Sequence, residues 1–220
     1  LITLVAFGYG LGAMIGAVQG LPYIAYLASG SVAVSAALAA TFEALYSAYS
    51  RMQVQKTWES IMNAPIALDD IVFAEMLWAA AKSVMSVSAI MVVIFALNIS
   101  RAPTMLLALP LLGFVGVTFA SIALVFNAIA KGYDFFTYYF TLVMTPMTFL
   151  SGVYFPINQM PEWLQVVSRV LPLTAAVELI RPLMLGDWPV SWHQPLLVLA
   201  AYAVGGYYLA LVLTRRRFFK

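Results

Sequence analysis

The stretch SGVYFPINQMPEWLQVVSRVLPLTAAVELIRPLMLG, residues 151–186, decides which fold this sequence can adopt. It holds four prolines, two arginines and two glutamates, so it does not resemble a helix that crosses a membrane. It is nevertheless too apolar for an ordinary water-exposed loop. Apolar pieces of about 10–14 residues favour re-entrant or interfacial segments over full spans. The stretch therefore predicts a helical hairpin that dips partly into one leaflet of a membrane.

The prolines and charges of this stretch divide it into two short helices. Pro161 suits the first turn of a helix, and Pro172 ends that helix before a second one begins. Glu178 and Arg181 are three residues apart, a spacing at which opposite charges on a helix can pair. We expect them either to be a solvated pair or to fix the hairpin as a paired charge at membrane depth.

The composition of the whole chain predicts an integral membrane protein. Of its 220 residues, 64% are hydrophobic and 9% are charged, and the mean hydropathy is +0.95. Soluble domains are nearer half apolar and a quarter charged. A net charge of +2 with no basic groove gives no support for nucleic acid as a partner. The absence of cysteine excludes disulfides and thiolate sites.

Six apolar stretches are long enough to cross a bilayer, which needs about 20 residues per helix. We therefore predict an all-α polytopic membrane protein with six transmembrane helices and two short re-entrant or interfacial helices between helices five and six. Since the chain opens inside an apolar run without methionine, we expect the N-terminus to be truncated. The predicted spans are residues 1–18, 31–50, 77–98, 104–130, 135–152 and 195–213.

The basic residues set the predicted orientation, because short cytoplasmic loops carry the excess of lysine and arginine. If six helices alternate, eight basic residues fall on one side and three on the other. We expect the larger group to be cytoplasmic, with both termini there and residues 151–192 on the outer face. The larger group is Arg51, Lys56, Lys82, Lys131, Arg215, Arg216, Arg217 and Lys220, and the smaller is Arg101, Arg169 and Arg181.

The predicted cytoplasmic loop of residues 51–76 contains a short amphipathic pattern. Trp58, Ile61 and Met62 follow helical spacing, and Lys56 and Glu59 take the other side. The pattern indicates a short helix that Pro65 ends. It fits either a helix lying on lipid headgroups or a docking surface for a cytoplasmic partner.

The sequence carries no motif for bond-making chemistry. It contains no HExxH motif, nucleophile elbow or phosphate-binding GxxxxGK[ST] loop, so we expect neither an enzyme nor an ATP site in this chain. Glu43 is the one ionisable residue expected deep in a span, where such groups mark pathways. The run YDFFTYYFTLVMTP, residues 133–146, indicates either an interfacial aromatic belt or a route for sugars or lipids lined by Tyr138, Tyr139 and Phe140.

Several of these residues resemble the permease subunits of ABC-2-type exporters. The resemblance is strongest over residues 149–186, where the residues Ser151-Gly152, Phe155-Pro156, Pro161, Leu171-Pro172 and Arg181 follow the family's order. The C-terminal LTRRRFFK is also similar. The likeness extends over nearly the whole chain and is greatest to the NodJ-type branch, which is associated with export of lipo-chitooligosaccharide nodulation factors.

The resemblance implies a single transmembrane domain over residues 1–220 that works as a homodimer in a bacterial inner membrane. Two copies of a P-loop ATPase would bind the ATP and magnesium, and this chain would hold no cofactor. The loop of residues 56–68 would be the coupling helix, in which Lys56, Trp58, Glu59 and Met62 contact the ATPase. The exported substrate would be an amphiphilic lipo-oligosaccharide, glycolipid, polysaccharide or drug. The alternative function is an ion-coupled secondary transporter.

The resemblance also identifies an outer structural motif. Its members in this sequence are Gly152, Pro156, Pro161, Pro172, Glu178 and Arg181.

Overall fold

A computed structural model describes residues 2–219, and the side chains of the first two of these are not described. Leu1 and Lys220, which the predicted first span and the basic tail include, lie outside the described residues. The described chain is mostly helical. Its α-helices are α1 (Ile2–Gly10), α2 (Gly12–Ile15), α3 (Tyr23–Phe42), α4 (Thr57–Ile61), α5 (Leu68–Ala96), α6 (Met105–Ile129), α7 (Asp134–Tyr139), α8 (Thr145–Leu150), α9 (Glu162–Val170), α10 (Pro172–Leu185) and α11 (His193–Phe218).

Four of the described helices are long and apolar enough to cross a membrane. α3 continues without a break through two π-helical segments, so its span is Tyr23–Val54, and the other three are α5, α6 and α11. They overlap the second, third, fourth and sixth predicted spans. α5 begins at Leu68, nine residues before the predicted start, because its first turn continues across acidic residues that favour a helix N-terminus.

The first and fifth predicted spans differ in the structure. Residues 2–15 form two short helices, α1 and α2, followed by an antiparallel pair of strands, β1 (Ala17–Val18) and β2 (Leu21–Pro22). Gly16 and Gly20 adopt φ values of +73° and +79°, which glycine tolerates and which end the helix there. Residues 134–150 form six α-helical, five π-helical and six α-helical residues. Neither region forms a continuous helix of about 20 residues, the length that a span needs, so the count of six is not confirmed.

The two short helices expected before the last span are present. α9 begins directly after Pro161, and α10 begins at Pro172, as the proline positions predict. Their axes are bent by 83°. A pair bent this sharply is either a broken span or a re-entrant loop. Trp163, Val166 and Val170 on α9 are exposed, so the apolar face of this helix points away from the protein.

Small residues bring the spanning helices close together. The side of α3 that faces the bundle is lined with buried alanines, among them Ala33, Ala36 and Ala40. A Cβ added to Gly206 of α11 would lie 3.2 Å from the backbone of α6. Membrane helices pack through such residues because lipid provides no hydrophobic force between helices, so close backbone contact must hold them.

The two ends of the bundle are distinguished by the helices that lie there. At the α4 end, Arg217 donates to the carbonyl oxygens of Asn127 and Ala128 at 3.1 and 2.9 Å, which satisfies the last turn of α6. At the α9 end, the Thr104 hydroxyl donates to the carbonyl oxygen of Leu183 at 2.6 Å. Side chains thus fasten one helix terminus to a neighbouring element at each end.

Candidate functional site

Four charged side chains meet between the α3 span and α5, near the α4 end. Arg51 Nε donates to Oε1 of Glu75 at 2.8 Å, and Arg51 Nη2 donates to Oε1 of Glu43 at 3.1 Å. Lys82 Nζ donates to Oε2 of Glu43 at 2.9 Å. We call Glu43, Arg51, Glu75 and Lys82 the charge network. Its two acids and two bases balance, so it carries no net formal charge.

The two carboxylates of the network are buried and well supplied with donors. Glu43 is 6% exposed and Glu75 is 8% exposed. Besides its two cations, Glu43 accepts hydrogen bonds from Ser47 Oγ at 2.9 Å and from the Trp78 indole at 3.0 Å. A buried carboxylate is tolerated only when it is paired and hydrogen-bonded, and both conditions are met here.

Local helix geometry brings these residues together. Glu43 begins a π-helical segment, Glu43–Ser47, and Arg51 lies in a second one, Ser50–Val54. On α5, Glu75 and Lys82 are seven residues apart, two helical turns, and therefore share a face. π-helical turns are rare and frequently occur at functional sites.

The predicted amphipathic helix is present as α4, and the network reaches it through one side chain. The Trp58 indole Nε1 donates to Oε1 of Glu75 at 3.0 Å, and its ring lies 6.2 Å from that of Phe218. Lys56 and Glu59 are exposed, and Met62 is half-buried. Trp58 was expected to contact a partner, but it is 1% exposed and packs inside its own chain. The bond with the buried Glu75 explains this orientation.

An open groove lies beside the charge network. Its volume is about 660 Å³, within the range of roughly 300–1,000 Å³ typical of ligand sites. Arg51, Glu75 and Trp78 line it together with three isoleucines of the α4–α5 region, namely Ile61, Ile66 and Ile71. The charge network therefore has one side that faces an open space at the α4 end.

The residues expected to line a pathway do not share one surface. Tyr139 is 2% exposed and packs against Phe126 with ring centroids 4.5 Å apart. Phe140 stacks on Phe42 at 4.4 Å. Tyr138 is 64% exposed. The aromatic run therefore both joins its helix to α3 and α6 and presents Tyr138 outward, while Glu43 belongs to the charge network.

At the α9 end, Arg181 is bound by three partners. Its guanidinium lies 3.8 Å from the centroid of the Tyr26 ring, an arrangement that attracts a cation to the ring face. Nη2 donates to the carbonyl oxygen of Gly152 at 2.7 Å, and Nε donates to Ser29 Oγ at 3.3 Å. The Tyr26 hydroxyl donates to the same Gly152 oxygen at 2.8 Å. Arg181 therefore joins α10, α3 and the segment after α8.

The pairing expected between Glu178 and Arg181 is wrong. Among the residues that the structure describes, the ion pairs within 4.0 Å are those of the charge network and that of Arg215 with Asp69. Arg181 instead faces Tyr26, and Glu178 is exposed.

The glycine and the prolines of the predicted outer motif lie at turns and helix starts in the same region. Gly152 has φ +71°, a conformation that glycine adopts without strain. Pro156 precedes a 3₁₀ turn, Ile157–Gln159. Pro161 and Pro172 lie at the starts of α9 and α10. The motif thus shapes the backbone around Arg181.

Comparison with known proteins identifies the family. A model described as ABC-2 type transporter matches residues 1–185. The chain belongs to the ABC-2 type transporter family. It is similar to Nodulation protein J of Sinorhizobium fredii (strain NBRC 101917 / NGR234), with 44% identity over 218 residues that cover 98% of this chain and 82% of the relative.

Two further relatives agree with this ABC-2 assignment. Nodulation protein J of Rhizobium leguminosarum bv. trifolii is 45% identical over 217 residues, 99% of this chain and 83% of the relative. The inner membrane transport permease YadH of Escherichia coli (strain K12) is 23% identical over 213 residues, 96% of this chain and 82% of the relative. The resemblance stated from the sequence is confirmed, and the chain is a multi-pass ABC-2 permease.

The structure places several residues of this ABC-2 permease in these two clusters that the sequence did not indicate. Glu75 was placed in a loop because the third span was expected to start two residues later. The spacing of Glu75, Trp78 and Lys82 on one helical face was the available signal. Tyr26 and Ser29 gave no such signal, because their contact with Arg181 spans more than 150 residues of sequence.

Proposed function

We propose that this permease is the membrane subunit of an ATP-driven exporter, with α4 as the docking element for a separate P-loop ATPase that binds the ATP and magnesium. The observation that carries the proposal is the continuous set of bonds from Trp58 of α4 through Glu75 and Arg51 to Glu43 of the α3 span. Lys56 and Glu59 remain exposed for contact with the ATPase.

The bonds from α4 supply a route by which nucleotide binding would move the spans. A shift of α4 displaces the Trp58 indole, and Glu75 must then follow it or lose that hydrogen bond. Because Arg51 holds both Glu75 and Glu43, the change reaches α5 and α3 together. A ligand changes a conformational equilibrium only by binding one state better than the other. The ATPase pair, closed on nucleotide, would provide that difference.

The orientation that we propose places the α4 end in the cytoplasm of a bacterial inner membrane, with both termini there. Lys56, Lys131, Arg216 and the other described basic residues of the larger group belong to this end, as the rule for cytoplasmic loops requires. The α9–α10 pair then lies at the outer face as a re-entrant hairpin. The exposed apolar side chains of α9 would rest in lipid.

The substrate that we propose is an amphiphile, such as a lipo-oligosaccharide, a glycolipid or polysaccharide, or a drug. The resemblance to the NodJ-type branch favours the lipo-oligosaccharide, and the similarity to relatives named Nodulation protein J supports that resemblance. Tyr138 and Phe42 are at least half exposed on the α7 and α3 surfaces and offer rings for a sugar or an acyl chain. A second copy of the chain would complete the export pathway through the membrane. Two copies of the ATPase would bind the permease dimer.

The experiment for this function is reconstitution of the full-length chain with the ATPase encoded beside it. ATP is expected to drive export of labelled lipo-oligosaccharide from proteoliposomes, and equal amounts of both proteins are expected on co-purification. Failure of ATP to drive export, together with loss of the ATPase on purification, overturns the proposal.

The second candidate is an ion-coupled secondary transporter. Two buried carboxylates on different spans, Glu43 and Glu75, each paired with a basic side chain, are the observation that favours it. Such residues can relay protons across membranes. Export driven by a proton or sodium gradient from vesicles that contain this polypeptide alone supports this candidate, and dependence on ATP and the ATPase excludes it.

A further inference from the structure

A polar pocket lies at the α9 end, away from the charge network. Its volume is about 370 Å³, large enough for a small ligand. The β1–β2 turn contributes Gln19, the 3₁₀ turn contributes Asn158, and α10 contributes Glu178 and Arg181. Three separate segments of the chain therefore place two amides, one carboxylate and one guanidinium around a single space.

The two charges of this pocket are held apart by other contacts. Arg181 is kept against Tyr26 by the stacking contact and by its bond with Gly152. Glu178 therefore keeps its carboxylate free of ion pairs with any residue in the range 2–219, although its helix spacing would allow one. An unpaired carboxylate beside a fixed guanidinium provides acceptors and a positive field within one pocket.

This donor and acceptor set selects against charged ligands. An anion would be attracted by Arg181 and repelled by Glu178. A cation would be attracted by Glu178 and repelled by Arg181. The carboxylate only accepts hydrogen bonds, the guanidinium only donates them, and the amides of Gln19 and Asn158 do both. A neutral ring with several hydroxyl groups, each of which donates and accepts, matches this set.

We propose that this pocket binds the neutral, polyhydroxylated sugar head of the exported amphiphile at the outer face. The proposal rests on the proposed export function and adds the class of head group and its site. Glu178 accepts from two sugar hydroxyls, and the amides of Gln19 and Asn158 bond the others. The acyl tail of the same molecule stays in lipid beside the exposed apolar face of α9.

The test measures binding of neutral disaccharides to the full-length protein with its ATPase in lipid nanodiscs. The probes are cellobiose and N,N′-diacetylchitobiose, with inorganic phosphate as the anionic comparison, and the readout is saturation-transfer NMR with competition. We expect Glu178→Leu to weaken disaccharide binding at least about tenfold, the effect of losing a hydrogen bond to a charged group, and Asn158→Leu to weaken it about twofold to tenfold, the effect of losing one to a neutral amide. Glu162→Leu is the matched control, an exposed glutamate on α9 outside the pocket.

The outcomes distinguish failure of the proposed sugar site from failure of the proposed export function. Binding of phosphate in preference to the disaccharides overturns the proposal, as does equal weakening by Glu162→Leu and Glu178→Leu. Thermal unfolding of each variant shows whether it is folded, and Glu178→Gln provides a second, isosteric variant. Disaccharide binding without ATP-driven export contradicts the proposed function and leaves the site standing. ATP-driven export without disaccharide binding overturns the site alone.

Discussion

The Trp58 indole donates a hydrogen bond to Glu75 at 3.0 Å and thereby joins α4 to α5. α4 has only five residues, and isolated helices of that length are unstable in water. Its position therefore depends on contacts outside itself, and Trp58 makes the most buried of them. The helix that we propose as the docking element is thus fixed by the charge network.

Replacement Trp58→Phe is expected to loosen α4 and lower the stability of the protein. Phenylalanine keeps an aromatic ring but cannot donate to Glu75, so the free energy of unfolding should fall by about 1–3 kcal/mol. Denaturant titration in mixed micelles measures this. Trp163→Phe on α9 is the control, because Trp163 is 68% exposed and should change little. Equal effects of the two changes would contradict the structural role of Trp58.

Replacement Arg51→Met is expected to be more damaging, because one guanidinium serves both buried carboxylates. Removing one partner of a buried ion pair typically costs about 3–5 kcal/mol, and because the Arg51 side chain is 27% exposed we expect the lower end of that range. Adding Glu75→Gln should recover part of that loss, since it neutralises the carboxylate left unpaired while Lys82 still holds Glu43. The same micelle titrations apply to both variants. A double variant no more stable than Arg51→Met alone would refute this account of the network.

Replacement Glu59→Lys is expected to disturb the partner and not the fold. Glu59 is exposed on α4, so the unfolding free energy should stay within about 0.5 kcal/mol. If α4 docks to the ATPase, reversing this charge should weaken their association at least about tenfold. Pull-down with titrated ATPase measures the affinity, and Glu162→Lys at the opposite end serves as the control. If the Glu59→Lys variant binds the ATPase with unchanged affinity, the docking surface is not on α4.

Two adjacent glycines on α11 provide a test of helix packing. Gly206→Ala adds a methyl group 3.2 Å from the α6 backbone, so we expect a loss of about 1–3 kcal/mol from forced separation of the helices. Gly205→Ala meets no atom within 4 Å and should be neutral or slightly stabilising, because alanine favours helix over glycine. Thermal unfolding of the two variants under identical conditions makes the comparison. A lower melting temperature for Gly205→Ala than for Gly206→Ala would be the contrary result.

The sequence predicted the parts of this fold that depend on local pattern. Long apolar runs located four spanning helices, and Pro161 and Pro172 located the starts of α9 and α10 within a residue. Proline acts through its own missing N–H and fixed φ, so its effect is visible without tertiary structure. The family resemblance rested on the same local motifs and is confirmed.

The parts that depend on distant contacts could not be predicted. Glu178 and Arg181 have the spacing of a pair, yet Tyr26 and Gly152, both far away in sequence, hold the arginine elsewhere. Trp58 has the pattern of an exposed anchor, yet a buried acid on α5 turns it inward. Residues 2–15 are apolar enough for a span, but Gly16 and the following hairpin end the helix early.

The two π-helical segments after α3 have a consequence for how this region can evolve. Each π turn holds one residue more than an α-helical turn, as if a single amino acid had been inserted. Such a turn takes up the extra residue locally, so the helix beyond Glu43–Ser47 keeps the phase of a regular α-helix. Deleting one residue there would restore α-helical winding and leave Arg51 facing Glu75, whereas a deletion in Tyr23–Phe42 would rotate everything beyond it by about 100°. Homologues should therefore accept a one-residue gap at Glu43–Ser47 more readily than in the regular part of this span.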